Sequence, residues 1–497
     1  MSLSTSIHDI KTLVLSCHPV IAIETVEEER VRSLLLSVSA QVGMPLFEWS
    51  LTRGLTRTDD TALVNRTTAS PAALLGHLEN LRPEILVLLK DFSRHLDDAT
   101  HARLFREVAE RFAKSRSTAV LAGDTVQLPN EIEALAVRYR LRLPDRDELD
   151  AVVASVLQSL GDRASDMKAF PPKDRDELLR AMNGLTLNQA RQAISQAVLE
   201  GGPLTTHAVR DVLDRKAQMI KEGGLLEYYP VEDNRYQLGG FANLKQWLAR
   251  AYLGFSQEAK ELNLTPPRGI LIVGVPGCGK SLAAKVIARD WKLPLLKLDA
   301  GRLFDKFVGE SEKNFRKAIA LAESMAPVVF WIDEIEKGMV SAGGGDADAG
   351  LSRRLFGAFL TWLQEKKQEV FVVATANDLS ILPPELLRKG RFDEIFFVDL
   401  PNEEERDAIL RIQLGVRKQD LAKFDLTAIV PACTGFSGAE IEQAVVSSLY
   451  RALSQKKPLD TALLLEELRQ TVPLSVSRRE DIQRLRDTAQ GRFVGVR

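Results

Sequence analysis

Gly274-Val275-Pro276-Gly277-Cys278-Gly279-Lys280-Ser281 sets three glycines, a lysine and a hydroxyl at the intervals a bound polyphosphate requires. Glycine lets consecutive backbone N–H groups converge on a β-phosphate, Lys280 reaches β and γ oxygens, and Ser281 ligates Mg²⁺. The G-x-x-x-x-G-K-[ST] spacing, the Walker A pattern, is met in full. Pro276, Gly277, Cys278, Gly279, Lys280, Ser281 and Leu282 are therefore expected to contact nucleotide. An apolar run precedes the loop and a helical pattern follows it, which puts the phosphates at the positive end of a helix. At such a helix start Cys278 would have a lowered thiol pKa and oxidise readily, or else be a small side chain at a variable loop position.

Farther along, the apolar run Val328-Val329-Phe330-Trp331-Ile332 delivers Asp333-Glu334 at its carboxyl end, where parallel sheets bind ligands. This Walker B pair divides two tasks. Asp333 would hold Mg²⁺ through water, and Glu334 would orient the attacking water or accept its proton. Capping of the next helix is the plainer role for the same two acids. Asn377, after Ala374-Thr375-Ala376, can hydrogen-bond a γ-phosphate and that water, although asparagine after a strand is more often a turn former.

The elements that must carry these residues follow from the pattern. A helix over Leu244–Leu253 leads to strands at Gly269–Val273, Leu295–Leu298, Val328–Ile332, Val370–Ala374 and Ile395–Val398, with a helix to Asp290 after the phosphate loop. Strands alternating with helices predict a five-stranded parallel sheet, an α/β P-loop NTPase core over 236–402, and the periodic remainder over 403–497 predicts a helical lid. Glycines 201, 202, 223 and 224 and the Tyr228-Tyr229-Pro230 turn mark 216–235 as a linker.

The first half echoes the second. Phe396 to Pro401 before an acidic helix start is matched by Tyr139 to Pro144, and Thr434-Gly435-Phe436-Ser437 by Asn183-Gly184-Leu185-Thr186. Yet Pro19 to Ile23, placed as the strand before a phosphate loop, is followed by Glu24-Thr25-Val26-Glu27-Glu28-Glu29, without the glycines or lysine that cradle phosphate. The strand Ile85–Leu89 is followed by Lys90-Asp91-Phe92, so the acidic pair is missing too. Residues 1–145 thus read as a degenerate α/β copy, and 146–215 as its lid-like helical region.

Composition sets the class. In 497 residues, 45% are hydrophobic and 27% charged, ordinary for a globular chain, and no apolar run is long enough for a membrane helix. With 66 basic against 68 acidic side chains the net charge is −2, which disfavours nucleic acid as a partner. Three scattered cysteines imply neither a disulfide framework nor a zinc site. Without a secretion or transit pattern at the amino end, cytoplasm or the equivalent stroma is the expected compartment.

Leu386-Leu387-Arg388-Lys389-Gly390-Arg391-Phe392-Asp393 resembles the second region of homology of the AAA ATPases, and the resemblance spans roughly residues 235–497. It implies Mg²⁺-dependent ATP hydrolysis in a homo-oligomeric ring, expected to be a hexamer, with Arg388 and Arg391 acting as arginine fingers on ATP held by a neighbouring copy. Leu238-Gly239-Gly240 looks like the family's backbone contact to adenine, and Gly438-Ala439 like its second nucleotide contact. Gln413 stands where many relatives carry an adenine-contacting histidine. Thr361-Trp362-Leu363-Gln364-Glu365 departs from the family's Asp-Gly intersubunit signal.

Phe307-Val308-Gly309, preceded by Lys306, is similar to the aromatic pore loop that grips polypeptide, and also reads as an ordinary turn with a core contact. By the same resemblance the acidic Gly343 to Gly350 segment falls where a second pore loop lies, and it also reads as a disordered surface loop. As a whole, a degenerate half followed by one complete module resembles the AAA proteins of a hypothetical chloroplast reading frame of red-algal plastids and cyanobacteria, with bacterial relatives. That resemblance implies a setting in photosynthesis or inorganic-carbon regulation. The leading expectation is a ring that remodels or threads a protein substrate. A nucleotide-switched assembly scaffold and a nucleic-acid-handling ring are the alternatives.

Overall fold

Apolar runs flanked by helical patterns build two mixed, mainly parallel sheets, one in each of two units, Met1–Val212 and Leu213–Arg497. The computed structural model describes all residues except 1–2, 59, 160–171, 202–205, 223, 231–236, 301–309, 338–345 and 389.

In the second unit the strands are β8 (Leu226–Tyr229), β9 (Gly269–Gly274), β10 (Leu295–Asp299), β11 (Val328–Asp333), β12 (Val370–Ala376), β13 (Glu394–Val398) and β14 (Val494–Gly495), numbered after seven in the first unit. They lie in the order β14-β13-β9-β12-β11-β10-β8. The five strands expected from the sequence, β13-β9-β12-β11-β10, pair in parallel throughout. Every residue of β9 and β12 is buried, as befits central parallel strands covered by helices on both faces.

Two further strands extend this sheet. The stretch 216–235, expected to be a linker, carries the end of the helix Thr206–Glu222 and then β8, antiparallel to β10 with Tyr229 opposite Leu295. Tyr228-Tyr229 is therefore strand, not turn: Leu226 and Tyr228 face the core and alternate with Glu227 and Tyr229. At the other edge the tail leaves the lid. After the helix Arg479–Ala489, β14 pairs in parallel with β13, Phe396 opposite Val494, and Val496 joins the core beside Phe396 and Val398.

The first unit repeats the arrangement. Its strands are β1 (Val20–Glu24), β2 (Leu46–Ser50), β3 (Gly54–Arg57), β4 (Asp60–Asn65), β5 (Leu86–Lys90), β6 (Thr118–Gly123) and β7 (Ala136–Arg138), ordered β4-β3-β2-β5-β6-β1-β7. The parallel set β2-β5-β6-β1-β7 matches β10-β11-β12-β9-β13 position for position, and each set carries an antiparallel strand beyond its first member. Both units continue into helices after the last strand of the set.

The turns after β1 and β9 differ in chemistry. In the second unit Ala439, on a lid helix, donates its N–H to the Gly277 carbonyl at 2.9 Å. In the first, Leu187, at the start of the helix Leu187–Gly201, donates its N–H to Glu27 Oε1 at 2.8 Å. Arg30, one turn on, gives two hydrogen bonds to Glu148 at 2.9 and 2.8 Å, one to the Arg142 carbonyl, and pairs with Glu27 at 3.4 Å. Buried ion pairs of the chain's own side chains occupy this turn. Among the described residues no helix is long and apolar enough to cross a membrane.

Candidate active site

Closely packed backbone dictates the phosphate loop's glycines. A Cβ at Gly274 would stand 2.0 Å from the Val398 carbonyl oxygen, and Gly279, the residue before the helix Lys280–Asp290, has a φ of 93°, which L side chains rarely adopt. Lys280 is 6% exposed, and its Nζ donates to the carbonyls of Gly274 and Val275, both at 2.8 Å. Burial pulls its pKa down to about 8. Of the two readings of Cys278, its burial favours the small loop side chain. Desolvation outweighs the helix start and pushes its thiol up to about 12, so it is a buried small side chain and not a ready thiolate.

The acids arrive at the end of β11. Asp333 Oδ1 accepts the Ser281 hydroxyl at 3.1 Å and the Thr375 hydroxyl at 2.8 Å, with Lys297 Nζ 3.6 Å from Oδ2. A hydroxyl and a carboxylate side by side are hard oxygen donors suited to Mg²⁺ with water completing its shell. Glu334 turns away in the left-handed region, φ 49°, and its N–H donates to Thr375 Oγ1 at 3.1 Å. Its Oε1 accepts the side-chain amide of Asn377 at 3.0 Å, and it pairs with Lys337. The sequence-predicted Ser281, Asp333, Glu334 and Asn377 thus join through Thr375 into one hydrogen-bonded set, and Lys280, bonded to the loop carbonyls, lies close enough to feel the charge of Asp333 and Glu334. Thr375, which ties both acids to β12, was missed because its role exists only once β11 and β12 are paired.

Gly239 and Gly240 pack on the first lid helix, Glu403–Val416, which a capping box of Asn402 and Glu405 starts, and Leu238 lies against the phosphate-loop residue Gly279. A Cβ at Gly239 would meet Ile409 at 3.1 Å, one at Gly240 would meet Glu405 at 2.5 Å, and one at Gly279 would meet Leu238 at 3.3 Å. Gly438 lies by the Gly277 carbonyl and Ile409, at 3.4 and 3.6 Å from its would-be Cβ. Ile409 is therefore the lid side chain lying against both backbone segments. Gln413, one helical turn beyond, accepts a hydrogen bond from Arg417, which also pairs with Glu442. The period of a lid helix does not distinguish Ile409 from a core residue, so sequence reasoning passed over it.

Arg388 is exposed; Arg391 is half-buried, its Nη1 without a partner among the described residues. Their segment is anchored by Asp393, whose carboxylate accepts the N–H groups of Arg268 and Gly269 at 2.6 and 2.8 Å. Phe307, Val308 and Gly309 lie outside the described residues, as do 343–345 of the expected second loop; Asp346 opens the helix Asp346–Glu365. Near that helix's end Trp362 packs on Phe330 and Phe359 and donates to Glu323 at 2.9 Å, and Leu363 is fully buried. In this unit those residues build core.

Comparison with known proteins agrees with this architecture. Residues 270–400 match the model of the ATPase family associated with various cellular activities (AAA). Residues 6–141 match the SpoVK-like AAA ATPase N-terminal domain, and 147–223 its second domain. The chain is 35% identical to the AAA domain-containing protein ycf46 of Guillardia theta over 97% of its length and 94% of that protein's. Identity to ycf46 of Pyropia yezoensis is also 35%, over 96% of each chain. An ATPase family protein 2 homolog of Caenorhabditis elegans is 28% identical over 67% of this chain and 47% of its own. With the phosphate loop, the acidic pair and the doubled topology in place, the chain belongs to the AAA ATPase family, with the ycf46 proteins as full-length relatives.

Proposed function

We propose that the chain is a Mg²⁺-dependent ATPase that assembles into a closed ring of six copies and remodels or threads a protein substrate. The observation that carries the chemistry is the pairing of Ser281 with Asp333 beside that of Glu334 with Asn377. Lys280 offsets charge on the β and γ oxygens, and Ser281 and Asp333 would hold Mg²⁺, which would supply further positive charge to the phosphates. Glu334 takes a proton from water as its oxygen attacks the γ-phosphorus, and Asn377 orients that water. The bond to the bridging oxygen breaks, leaving ADP and phosphate. Leu238, Gly239, Gly240, Gly438, Ala439 and Gln413 are assigned to the nucleoside side.

The exposed Arg388 and the half-buried Arg391, whose Nη1 has no partner among the described residues, support a role for both on ATP held by an adjacent copy. Phe307, Val308 and Gly309 are assigned to the pore, gripping an extended chain by apolar contact. The near-neutral balance, net −2, favours a protein over nucleic acid as the substrate, and free cysteines fit a reducing compartment, cytoplasm or stroma. The assignment is tested with Glu334→Gln, which should hold ATP and its protein partner together for capture. Phe307→Ala should then bring the ratio of partner-stimulated to basal turnover towards one. A Phe307→Ala ring that remodels the captured partner at full rate would replace threading with the nucleotide-switched scaffold.

A further inference from the structure

Glu336 is 5% exposed and has no part in the roles assigned above. Its Oε1 accepts the backbone N–H of Asn377 at 2.8 Å, while its Oε2 is buried without a partner among the described residues. A side chain kept there for packing would be apolar, because a buried acceptor lacking a partner is destabilising. The position of Asn377 explains the carboxyl. β12 ends at Ala376, so Asn377 is the first residue beyond the sheet ladder, and its N–H needs an acceptor from elsewhere.

Glu336 supplies that acceptor from the β11 side. Between the two acids, Ile335 donates its N–H to the Thr375 carbonyl at 3.0 Å, which pins the Asp333–Glu336 turn to the end of β12. Two contacts then run in series: Glu336 holds the main chain of Asn377, and Asn377 holds the Glu334 carboxylate at 3.0 Å. We infer that Glu336 is a positioning residue for ATP hydrolysis, fixing Asn377 where its amide faces both Glu334 and the attacking water. The inference rests on the assignment of Glu334 and Asn377 made above.

The test measures kcat and nucleotide affinity for Glu336→Ala and Glu336→Gln, each alone and with Asn377→Ala. Misplacing a catalytic group by an ångström can cost about 10²-fold, so Glu336→Ala should lower kcat by about that factor with ATP affinity unchanged. Glu336→Gln, whose amide oxygen accepts the same N–H, should recover most of the loss. With Asn377→Ala already present, adding Glu336→Ala should cost nothing further, since a residue acting through another is not additive with it. Should the alanine variant fail to fold, Glu336→Met, similar in size but without the acceptor, takes its place. Multiplying losses in the double variant, or a fall in affinity that matches the fall in kcat, would overturn the inference. If Glu334→Gln turns over like the wild type, the assignment of the base fails first, and this inference with it.

Discussion

Leu187 donates its backbone N–H to the Glu27 carboxylate at 2.8 Å, at the turn where the second unit sets Ala439 against the Gly277 carbonyl at 2.9 Å. In one unit the turn after β9 is the glycine loop assigned to phosphate; in the other, after β1, a side-chain carboxylate caps the lid helix directly. The paired charges around it, Glu27, Arg30 and Glu148, are 5–8% exposed.

Arg30→Ala would leave Glu27 and Glu148 as uncompensated buried carboxylates. Breaking one partner out of such a cluster costs about 3–5 kcal/mol. The expected outcome is a lower denaturation midpoint for the first unit, read by denaturant titration, with ATP affinity of the second unit intact. A change of under about 1 kcal/mol, the worth of a surface pair, would show that the cluster does not hold this unit together.

The five central strands of the second unit were legible because parallel strands covered on both faces read as near-continuous apolar runs, as in Val328–Ile332 and Val370–Ala374, whereas in the first unit only β1 and β5 were read from the sequence. The loss of the phosphate loop from the first half was equally plain, since Thr25-Val26-Glu27 contains no glycine. What filled its place was not, because Arg30 meets Glu148 across 118 residues of sequence. β8 was hidden by glycines that read as linker punctuation, and β14, with Val494 and Gly495 alone, has no period to detect. Thr375, Glu336 and Ile409 escaped for one reason: each acts through a partner from another element, which only tertiary pairing supplies.

Lys366 provides a pH signature. Burial lowers its pKa to about 8 from the usual 10.5, with Asp393 opposing the shift and Arg268 adding to it. Between those values the unfolded chain holds a proton that the folded chain has released, so stability from this group rises with pH across that window. Below about 8 both states are protonated, and its contribution is flat. Wild type minus Lys366→Met, compared by denaturant midpoint at several pH values, should show this rise; a difference constant across the window would mean that Lys366 does not titrate as stated.

Arg391→Ala should bind ATP normally yet lose about 10³-fold or more in turnover, the scale of a missing arginine finger. Mixed with Lys280→Ala chains, it should recover part of that turnover at interfaces where one copy supplies ATP and the other the arginine. Phosphate release measured across mixing ratios, with co-assembly shown by sedimentation, checks this. No recovery at any ratio would set Arg391 to work within its own copy.

The central claim is that one site, built around Lys280 and Glu334, hydrolyses ATP for the whole chain. The most direct measurement is bound ATP and phosphate release recorded together for wild type, Lys280→Ala and Glu334→Gln. The account predicts turnover in the wild type, no nucleotide bound to Lys280→Ala, and one ATP retained per Glu334→Gln chain without phosphate release. Stoichiometric ATP on Lys280→Ala, or phosphate release by Glu334→Gln at the wild-type rate, would contradict it.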